Sequence, residues 1–286
     1  MTKLYNNKLY NDYFKKYENL QRKRNYKHMR LDKFLAESAV GRRKTVRAYI
    51  KDGMVKVNGE IITEPSMDIS EKFDDVEYLG KKVIYTGKVY YMFNKPSGCI
   101  TATKDNIHKT VFDYFSNKNM SGVFHVGRLD KDTEGLLLLT NDGEFEHKVM
   151  YPEKHVEKTY FFWALGSLED EDKKKLEEGL FIGNNEALTK PAKIDVHKSG
   201  SYIEFKEEIP INNLENKDHQ PVVSGYLTIS EGQKHQVKRM LKVVGCYIIY
   251  LKRISIGGLK LDESLKMGDY RELTKKEIER IFEMIM

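Results

Sequence analysis

Apolar residues recur at helical spacing in two consecutive segments that begin near residue 29. The segments are MRLDKFLAES and GRRKTVRAYIKDG, and in each the charged residues fall on the face opposite the apolar ones. The apolar positions are Leu31, Phe34 and Leu35, then Val46, Tyr49 and Ile50. Gly53 follows the second segment, and glycine commonly ends a helix. The pattern predicts two short amphipathic helices.

A hairpin is predicted directly after the second helix. Residues 54–57 and 61–62 have strand character and flank Asn58-Gly59, a pair that tolerates the positive φ angles of a tight turn. Residues 64–88 are more acidic and show no strong period, so we interpret them as a connector. The order helix, helix, hairpin resembles the small S4-type RNA-binding domain.

The remainder of the chain alternates between predicted strands and helices. VYYMFN predicts a strand that runs into a tight turn at residues 94–98, the leucine run 136–139 predicts a buried strand, and KTYFFWALG predicts another. Residues 111–115 suggest a short helix and residues 123–126 a brief strand. Helical spacing returns at Val237, Met240, Leu241 and Val244.

The most informative segment is GRLDKDTEGLLLLTNDG, residues 127–143. Its loop holds Asp130, Asp132, Glu134 and Arg128, and it ends at the buried leucine strand. Such a charged loop usually faces solvent, and here it lies at the edge of a core strand. The segment also offers carboxylates at the first, third and fifth places of a calcium loop, but the twelfth place is Asn141 rather than glutamate, which argues against calcium.

Charge is distributed unevenly along the chain. The formal net charge is +6, and residues 1–28 supply all of it, with eight Lys or Arg against Asp12 and Glu18. This stretch also contains Tyr5, Tyr10, Tyr13, Tyr17 and Tyr26. Its composition favours a partly disordered or helical extension over a basic arm that stacks on nucleic acid. Met29 is an alternative start.

Composition narrows the function classes. The chain has 286 residues, 40% hydrophobic and 32% charged, which fits a globular protein of one or two domains. We expect no membrane span and no secretory signal, and therefore a cytoplasmic protein. Cys99 and Cys246 are the two cysteines and lack the paired spacing of a zinc site or a disulfide framework. We expect no metal.

Basic residues cluster in two further places. Residues 30–60 hold eight basic and four acidic residues, and residues 232–261 hold seven basic and no acidic ones. Such stretches suit phosphate contacts, although a solvated charged face has the same composition. The predicted RNA-binding residues are Arg30, Lys33, Arg42, Arg43, Lys44, Arg47, Lys51, Lys95, Lys234, His235, Gln236 and Arg239.

Four motifs together resemble the RsuA family of ribosomal RNA pseudouridine synthases. They are NKPSG at 94–98, GRLDKDTEG at 127–135, EKTY at 157–160 and EGQKHQVKRM at 231–240, and RELT at 271–274 fits the family's C-terminal end. With the S4-type unit in front, the resemblance covers the chain after residue 28. EKTY, LTKPA at 188–192 and HQVKRM look most like the members that act on 16S RNA.

The resemblance implies roles for individual residues. Asp130 matches the family's essential aspartate, and Lys238 its basic position in the third motif, where a cation would keep a desolvated carboxylate ionised. Tyr160 would stack on the extruded uracil, and Arg128 would fill the space that this base leaves or hold the backbone beside it. From the residues alone, Tyr160 could be a packing aromatic, Lys238 a surface charge, and Arg128 a partner of Asp132 or Glu134.

The sequence therefore predicts an α+β protein that isomerises a uridine in 16S ribosomal RNA without a cofactor. We expect a basic extension (1–28), an S4-like domain and connector (29–88), and a catalytic domain (89–286) with a mixed, largely antiparallel sheet flanked by helices. The partner would be ribosomal RNA, naked or in a pre-ribosomal particle, bound by a monomer away from membranes. Alternatives are a 23S-specific member of the family, a non-catalytic ribosome assembly factor and a metal-dependent RNA hydrolase.

Overall fold

The computed structural model describes residues 28–116, 118–183, 187–210 and 217–285. The chain forms two compact units, one containing the residues up to Lys88 with Asn119–Val123, the other Val89–Lys118 with Phe124–Met286. The extension predicted at the N-terminus, with its five tyrosines, lies outside the described residues except for His28.

The described elements are numbered in chain order. The helices are α1 (Leu31–Glu37), α2 (Arg43–Lys51), α3 (Gly143–Met150), α4 (Asp170–Glu178), α5 (Tyr202–Phe205), α6 (Gln236–Val243) and α7 (Lys275–Ile285). The strands of the first unit are β1 (Met29–Arg30), β2 (Val55–Val57), β3 (Glu60–Ile61), β4 (Asp68–Ile69), β5 (Val76–Tyr78) and β6 (Lys81–Lys82). The strands of the second unit are β7 (Tyr90–Lys95), β8 (Phe124–Val126), β9 (Glu134–Thr140), β10 (Lys158–Leu165), β11 (Lys193–Ser201), β12 (Pro221–Ile229), β13 (Tyr247–Ile256), β14 (Leu259–Lys260) and β15 (Tyr270–Glu272).

The first unit confirms the two predicted helices and the hairpin. The apolar faces of α1 and α2 are buried together with the strand residues Val55 and Val57. Asn58 and Gly59 have φ angles of 54° and 85°, as the tight turn between β2 and β3 requires. Four strands pair in the order β3-β2-β5-β6, and β1 pairs with β4.

The interpretation of residues 64–88 as a mere connector was wrong for β5, which pairs with β2 inside that sheet. Strands of two or three residues are too short to show a period, and only Val76 of β5 is fully buried.

The second unit is built on one mixed sheet with the strand order β11-β12-β10-β13-β9-β7-β15, with β14 paired to β13 and β8 to β9. The strand pairings of this sheet are antiparallel except that of β13 with β9. The α+β class and the largely antiparallel sheet, both predicted from the sequence, are confirmed.

The leucine strand β9 lies between β13 and β7, and all of its residues are buried. Its parallel pairing with β13 depends on Gly135, which has a φ angle of 97°. A Cβ atom at this position would lie 2.2 Å from the carbonyl oxygen of Arg253. Only glycine permits so close an approach. The charged loop at residues 127–133 is thereby joined to the middle of the sheet.

Helix α6 presents its apolar side to the same sheet. Met240 and Leu241 are fully buried and pack in one cluster with Phe162 of β10 and Leu251 of β13. This confirms the predicted apolar face of the helix. His235 precedes α6 in the left-handed region, with a φ angle of 52°. Within the described part of the chain, no helix has both the length and the apolarity to cross a membrane.

Candidate active site

Residues 127–133 form the loop that carries Asp130, and Lys95 of β7 anchors it. The Lys95 side chain is fully buried, and its ammonium donates to the carbonyl oxygens of Pro96 (3.0 Å), Lys131 (3.2 Å) and Thr133 (2.9 Å). Burial lowers the pKa of Lys95, although the negative charges around it act to raise that pKa. The structure does not support the predicted RNA contact of Lys95, because its ammonium is buried and bonded to backbone.

Two further contacts fix the loop at the backbone. The Thr101 hydroxyl donates to the Leu129 carbonyl at 2.7 Å and accepts from the Leu129 amide at 3.1 Å. The amide of Gly98 donates to the carbonyl of Lys131 at 2.8 Å. The motif at 94–98 and the loop that bears Asp130 are thus one hydrogen-bonded structure. Asp130 is held in place by the backbone on either side of it.

The Asp130 carboxylate lies between two side chains from the start of α6. Lys238 Nζ is 3.2 Å from one carboxylate oxygen, and His235 Nε2 is 3.4 Å from the other. Lys238 also donates to Asp132 at 2.5 Å, so a single ammonium bridges both carboxylates. Burial acts to raise the pKa of Asp132, but the hydrogen bond and charge of Lys238 outweigh it and lower that pKa.

Beside this cluster the second unit contains a cavity of about 640 Å³, which is in the range of roughly 300–1,000 Å³ found for small-molecule sites. Arg128, Asp130, Tyr160 and Lys238 all line it, so the structure brings the four predicted catalytic residues together. Lys and Arg are five of its lining residues, against two carboxylates. The cavity is suited to a group that carries negative charge.

Arg128 is exposed at this cavity and forms no ion pair with the described residues. Its two suggested partners are engaged elsewhere. Asp132 binds Lys238, and the Glu134 carboxylate accepts from the hydroxyl of Tyr250 at 2.9 Å. Burial and the charge of Glu134 raise the pKa of Tyr250. The Arg128 guanidinium is therefore available to a ligand.

Two cations of the cavity wall were not among the predicted site residues, Lys158 on β10 and Arg253 on β13. They are 7% and 4% exposed. Burial first, and then the charge of Arg253, lower the pKa of Lys158 to about 8. One signal for Lys158 was available in the sequence. It lies two residues before Tyr160 in a strand, and residues two apart share a face.

Two more of the predicted RNA-binding residues have structural contacts instead. Gln236 is 3% exposed, its side chain donating to Glu231 at 2.6 Å and accepting from the amide of Gln233 at 2.9 Å. Arg239 donates through Nη2 to the carbonyl oxygen of Ile182 at 2.7 Å. Both shape the loop before α6, and the structure does not support a direct RNA contact for Gln236. Lys234 and His235 are exposed beside the cavity.

In the first unit, three of the four predicted RNA-binding arginines converge on a buried carboxylate. Asp32 is fully buried, and Arg30, Arg43 and Arg47 reach it at 3.1, 3.0 and 3.5 Å while their own side chains stay 41–54% exposed. Lys33 pairs with Glu37, and Arg42, Lys44 and Lys51 are exposed. Asp32 therefore orients three guanidinium groups that still reach solvent.

No group of three or more His, Cys, Asp or Glu side chains among the described residues could hold a metal ion. The chemistry available at the cavity is that of the Asp130 carboxylate with its lysine and histidine neighbours, a tyrosine and several cations. The second carboxylate, Glu231, accepts a hydrogen bond from Gln236.

A family described as RNA pseudouridylate synthase matches residues 89–242, and the S4 domain matches residues 29–76. The chain is 43% identical over 255 residues to the uncharacterized RNA pseudouridine synthase YtzG of Bacillus subtilis, covering 87% of this chain and 97% of the relative.

Other relatives carry names that specify a ribosomal subunit. Ribosomal small subunit pseudouridine synthase A of Haemophilus influenzae is 35% identical over 254 residues, covering 88% of this chain and 99% of the relative. Ribosomal large subunit pseudouridine synthase B of Bacillus subtilis is 38% identical over 253 residues, covering 88% and 95%. A crystal structure described as a pseudouridylate synthase superposes with a TM-score of 0.57 at 35% identity, covering 88% of this chain and 99% of that one.

Proposed function

Since the chain belongs to the RsuA family of RNA pseudouridine synthases, we propose that it isomerises a uridine of 16S small-subunit ribosomal RNA with Asp130 as the catalytic carboxylate. The observation that carries the proposal is the position of Asp130. It lies between Lys238 and His235 on the wall of a cavity that Tyr160 also lines.

The reaction determines what this cavity must supply. Pseudouridine formation breaks the bond from ribose C1′ to uracil N1, turns the base, and joins C1′ to C5. A carboxylate close to the sugar and base can add covalently or stabilise positive charge at the anomeric carbon, as in glycoside chemistry. Asp130 provides that carboxylate, and Lys238 Nζ lies 3.2 Å from one of its oxygens.

Tyr160 and Arg128 would handle the extruded nucleotide. A base that leaves the RNA stack loses its neighbours, and an aromatic ring in the receiving cavity replaces part of that stacking. Tyr160 offers such a ring. Arg128, exposed at the cavity and not engaged by an acidic residue of the described chain, would occupy the space left in the RNA or hold the adjacent backbone.

The first unit would bind RNA phosphates through the arginines around Asp32, acting on the substrate as an accessory site. The domain limits at 28 and 88 and action as a monomer on naked RNA or a pre-ribosomal particle are parts of the same proposal. The motifs EKTY, LTKPA and HQVKRM support the choice of 16S RNA, as do the relatives named small subunit synthase A.

A second substrate is favoured by one observation. The relative named large subunit pseudouridine synthase B is 38% identical to the chain, slightly above the 35% of the small subunit relative from Haemophilus influenzae. Isomerisation of 23S RNA by the same cavity is therefore the runner-up.

The test uses ribosomal RNA labelled with tritium at uracil C5, because isomerisation at that carbon releases the label to water. The protein would be incubated with labelled 16S and 23S RNA, each as naked RNA and as assembled particles. Release from 16S alone is the expected result. Release from 23S alone would move the substrate to the large subunit, and no release from any of the four would favour a non-catalytic assembly factor.

A further inference from the structure

Lys158 and Arg253 are the most buried cations on the wall of the cavity. Arg253 is directly opposite Tyr160 in the register of β13 with β10, and Lys158 shares the Tyr160 face of β10. The Arg253 guanidinium approaches the Tyr160 hydroxyl at 3.5 Å, and its centre lies 6.0 Å from the ring centroid. The two cations therefore adjoin the aromatic ring assigned to the base.

Part of the Arg253 guanidinium has a structural contact and part does not. Its Nε donates to the carbonyl oxygen of Leu136 at 2.8 Å, which fixes the plane of the group. Its Nη2 is buried and has no acceptor among the described residues. A buried donor without a partner is uncommon in folded proteins and calls for a physical reason.

Neither cation is neutralised by an acidic residue in the described part of the chain. Lys158 and Arg253 form no ion pair with the described residues, and each opposes the charge of the other. The nearby Glu134 carboxylate binds Tyr250 instead. Buried charges normally have a partner because leaving water is costly. The arrangement is therefore suited to a ligand that brings negative charge to this part of the cavity.

We propose that Lys158 and Arg253 bind the carbonyl oxygens of the extruded uracil and stabilise the negative charge that these atoms gain during isomerisation. The proposal rests on the proposed function and adds two residues to its site. The ligand chemistry is an anionic oxygen, and burial favours the base as its source. A backbone phosphate remains tied to the RNA strand outside, whereas the extruded base is the part that enters.

Negative charge develops on those oxygens whether the C1′–N1 bond breaks first or Asp130 first adds to the base. When the C1′–N1 bond breaks, its electron pair stays on the base, and the uracil anion shares the charge between N1 and its two carbonyl oxygens. C5 then bonds to C1′ with a pair from this anion, C5 loses its proton, and N1 gains one. Addition of Asp130 to the base would instead produce an enolate oxygen. Cations placed where charge develops accelerate both routes.

The test compares the full-length protein with Lys158→Met and Arg253→Lys. The first removes one charge, and the second keeps the charge but loses the guanidinium donors. Lys174→Met is the matched control, because Lys174 is a surface residue of α4 whose side chain is 74% exposed and pairs with Glu178. Tritium release from the RNA that the wild type isomerises is measured in single turnover at saturating protein. RNA affinity is measured by filter binding over a range of salt.

For Lys158→Met we expect release slowed on the order of 10²-fold, with RNA affinity and salt slope like those of Lys174→Met. Arg253→Lys should also slow release and leave affinity unchanged. Weaker binding with a salt slope smaller by about one, and an unchanged rate at saturation, would identify a phosphate contact and overturn the proposal.

Rates equal to that of Lys174→Met in both variants would also overturn it. If Lys158→Met fails to fold, the rate of Arg253→Lys decides the question. These results are distinct from failure of the proposed function, in which the wild type itself would release no tritium.

Discussion

Replacing Lys158 with methionine should stabilise the free protein at neutral pH. Methionine keeps a linear side chain in the same space and removes a cation whose pKa burial and Arg253 lower from 10.5 to about 8. Because each pKa unit corresponds to about 1.4 kcal/mol, the folded protein carries a penalty on the order of 3 kcal/mol for this charge. Lys158→Met should not carry this penalty.

The stability gained by Lys158→Met should depend on pH. The folded pKa of Lys158 lies below the unfolded one, so below pH 8 both states are protonated and the full penalty applies. Between the two pKa values the unfolded chain binds more protons, and the free energy of unfolding of the wild type rises with pH. The advantage of Lys158→Met should therefore shrink by roughly 2.5 kcal/mol between about pH 7 and pH 10.

Trp163 reports this equilibrium. It is the single tryptophan, it lies in β10 with Lys158, and it is 2% exposed. Urea unfolding followed by its fluorescence would be measured at each pH for wild type, Lys158→Met and Lys174→Met. If the stability gained by Lys158→Met stays constant with pH, or equals that of Lys174→Met, then Lys158 is not a buried cation that destabilises the folded protein.

Three further substitutions test the frame of the site and the first unit. Lys95→Met removes one hydrogen bond from each of three carbonyl oxygens, of which that of Lys131 keeps the Gly98 amide as a donor. It should cost about 3 kcal/mol by Trp163 fluorescence, whereas the exposed Lys131→Met should stay within about 0.5 kcal/mol. Equal values would show that the ammonium does not hold the loop. Gly135→Ala places a Cβ atom 2.2 Å from a backbone oxygen of β13. It should therefore lower the free energy of unfolding by more than about 3 kcal/mol. A melting temperature within about 2 °C of wild type would contradict this. Burial acts to raise the pKa of Asp32, but hydrogen bonds from two arginines outweigh it and lower that pKa. Asp32→Asn should therefore speed amide exchange in α1 at pH 7, and the exchange rates of the two proteins should converge as the pH falls below about 4. A difference in exchange rate that persists at low pH would exclude the ionised carboxylate as its cause.

The sequence predicted those parts of the fold that depend on local spacing. The apolar faces of α1, α2 and α6 and the leucine strand β9 were visible because each buries a set of residues at its own period. Helix α3 was not among the predicted elements. In the structure, Asp142 caps this helix by accepting from the amide of Glu144 at 3.1 Å.

The site was predictable where motifs carried it and not where burial decides the role. The four residues named from the motifs line one cavity. Lys95 and Gln236 were predicted to touch RNA because a sequence shows polarity but not the backbone or side chains that enclose it. Lys158 was named only as part of the EKTY motif, and Arg253 only as part of the basic stretch 232–261 that suits phosphate contacts. Each is a cation near other cations, which is typical of a surface, and only the sheet register places them together beside Tyr160.

The proposed function requires that Asp130 carries the chemistry, and comparing Asp130→Asn with Asp132→Asn tests this requirement. Both variants remove one carboxylate that contacts Lys238, so they are matched in charge and position. Single-turnover release of tritium from C5-labelled ribosomal RNA is measured for each at saturating protein. We expect a loss on the order of 10⁴-fold or more for Asp130→Asn and a loss of about 10-fold or less for Asp132→Asn. Substantial release by Asp130→Asn would show that another group carries the chemistry.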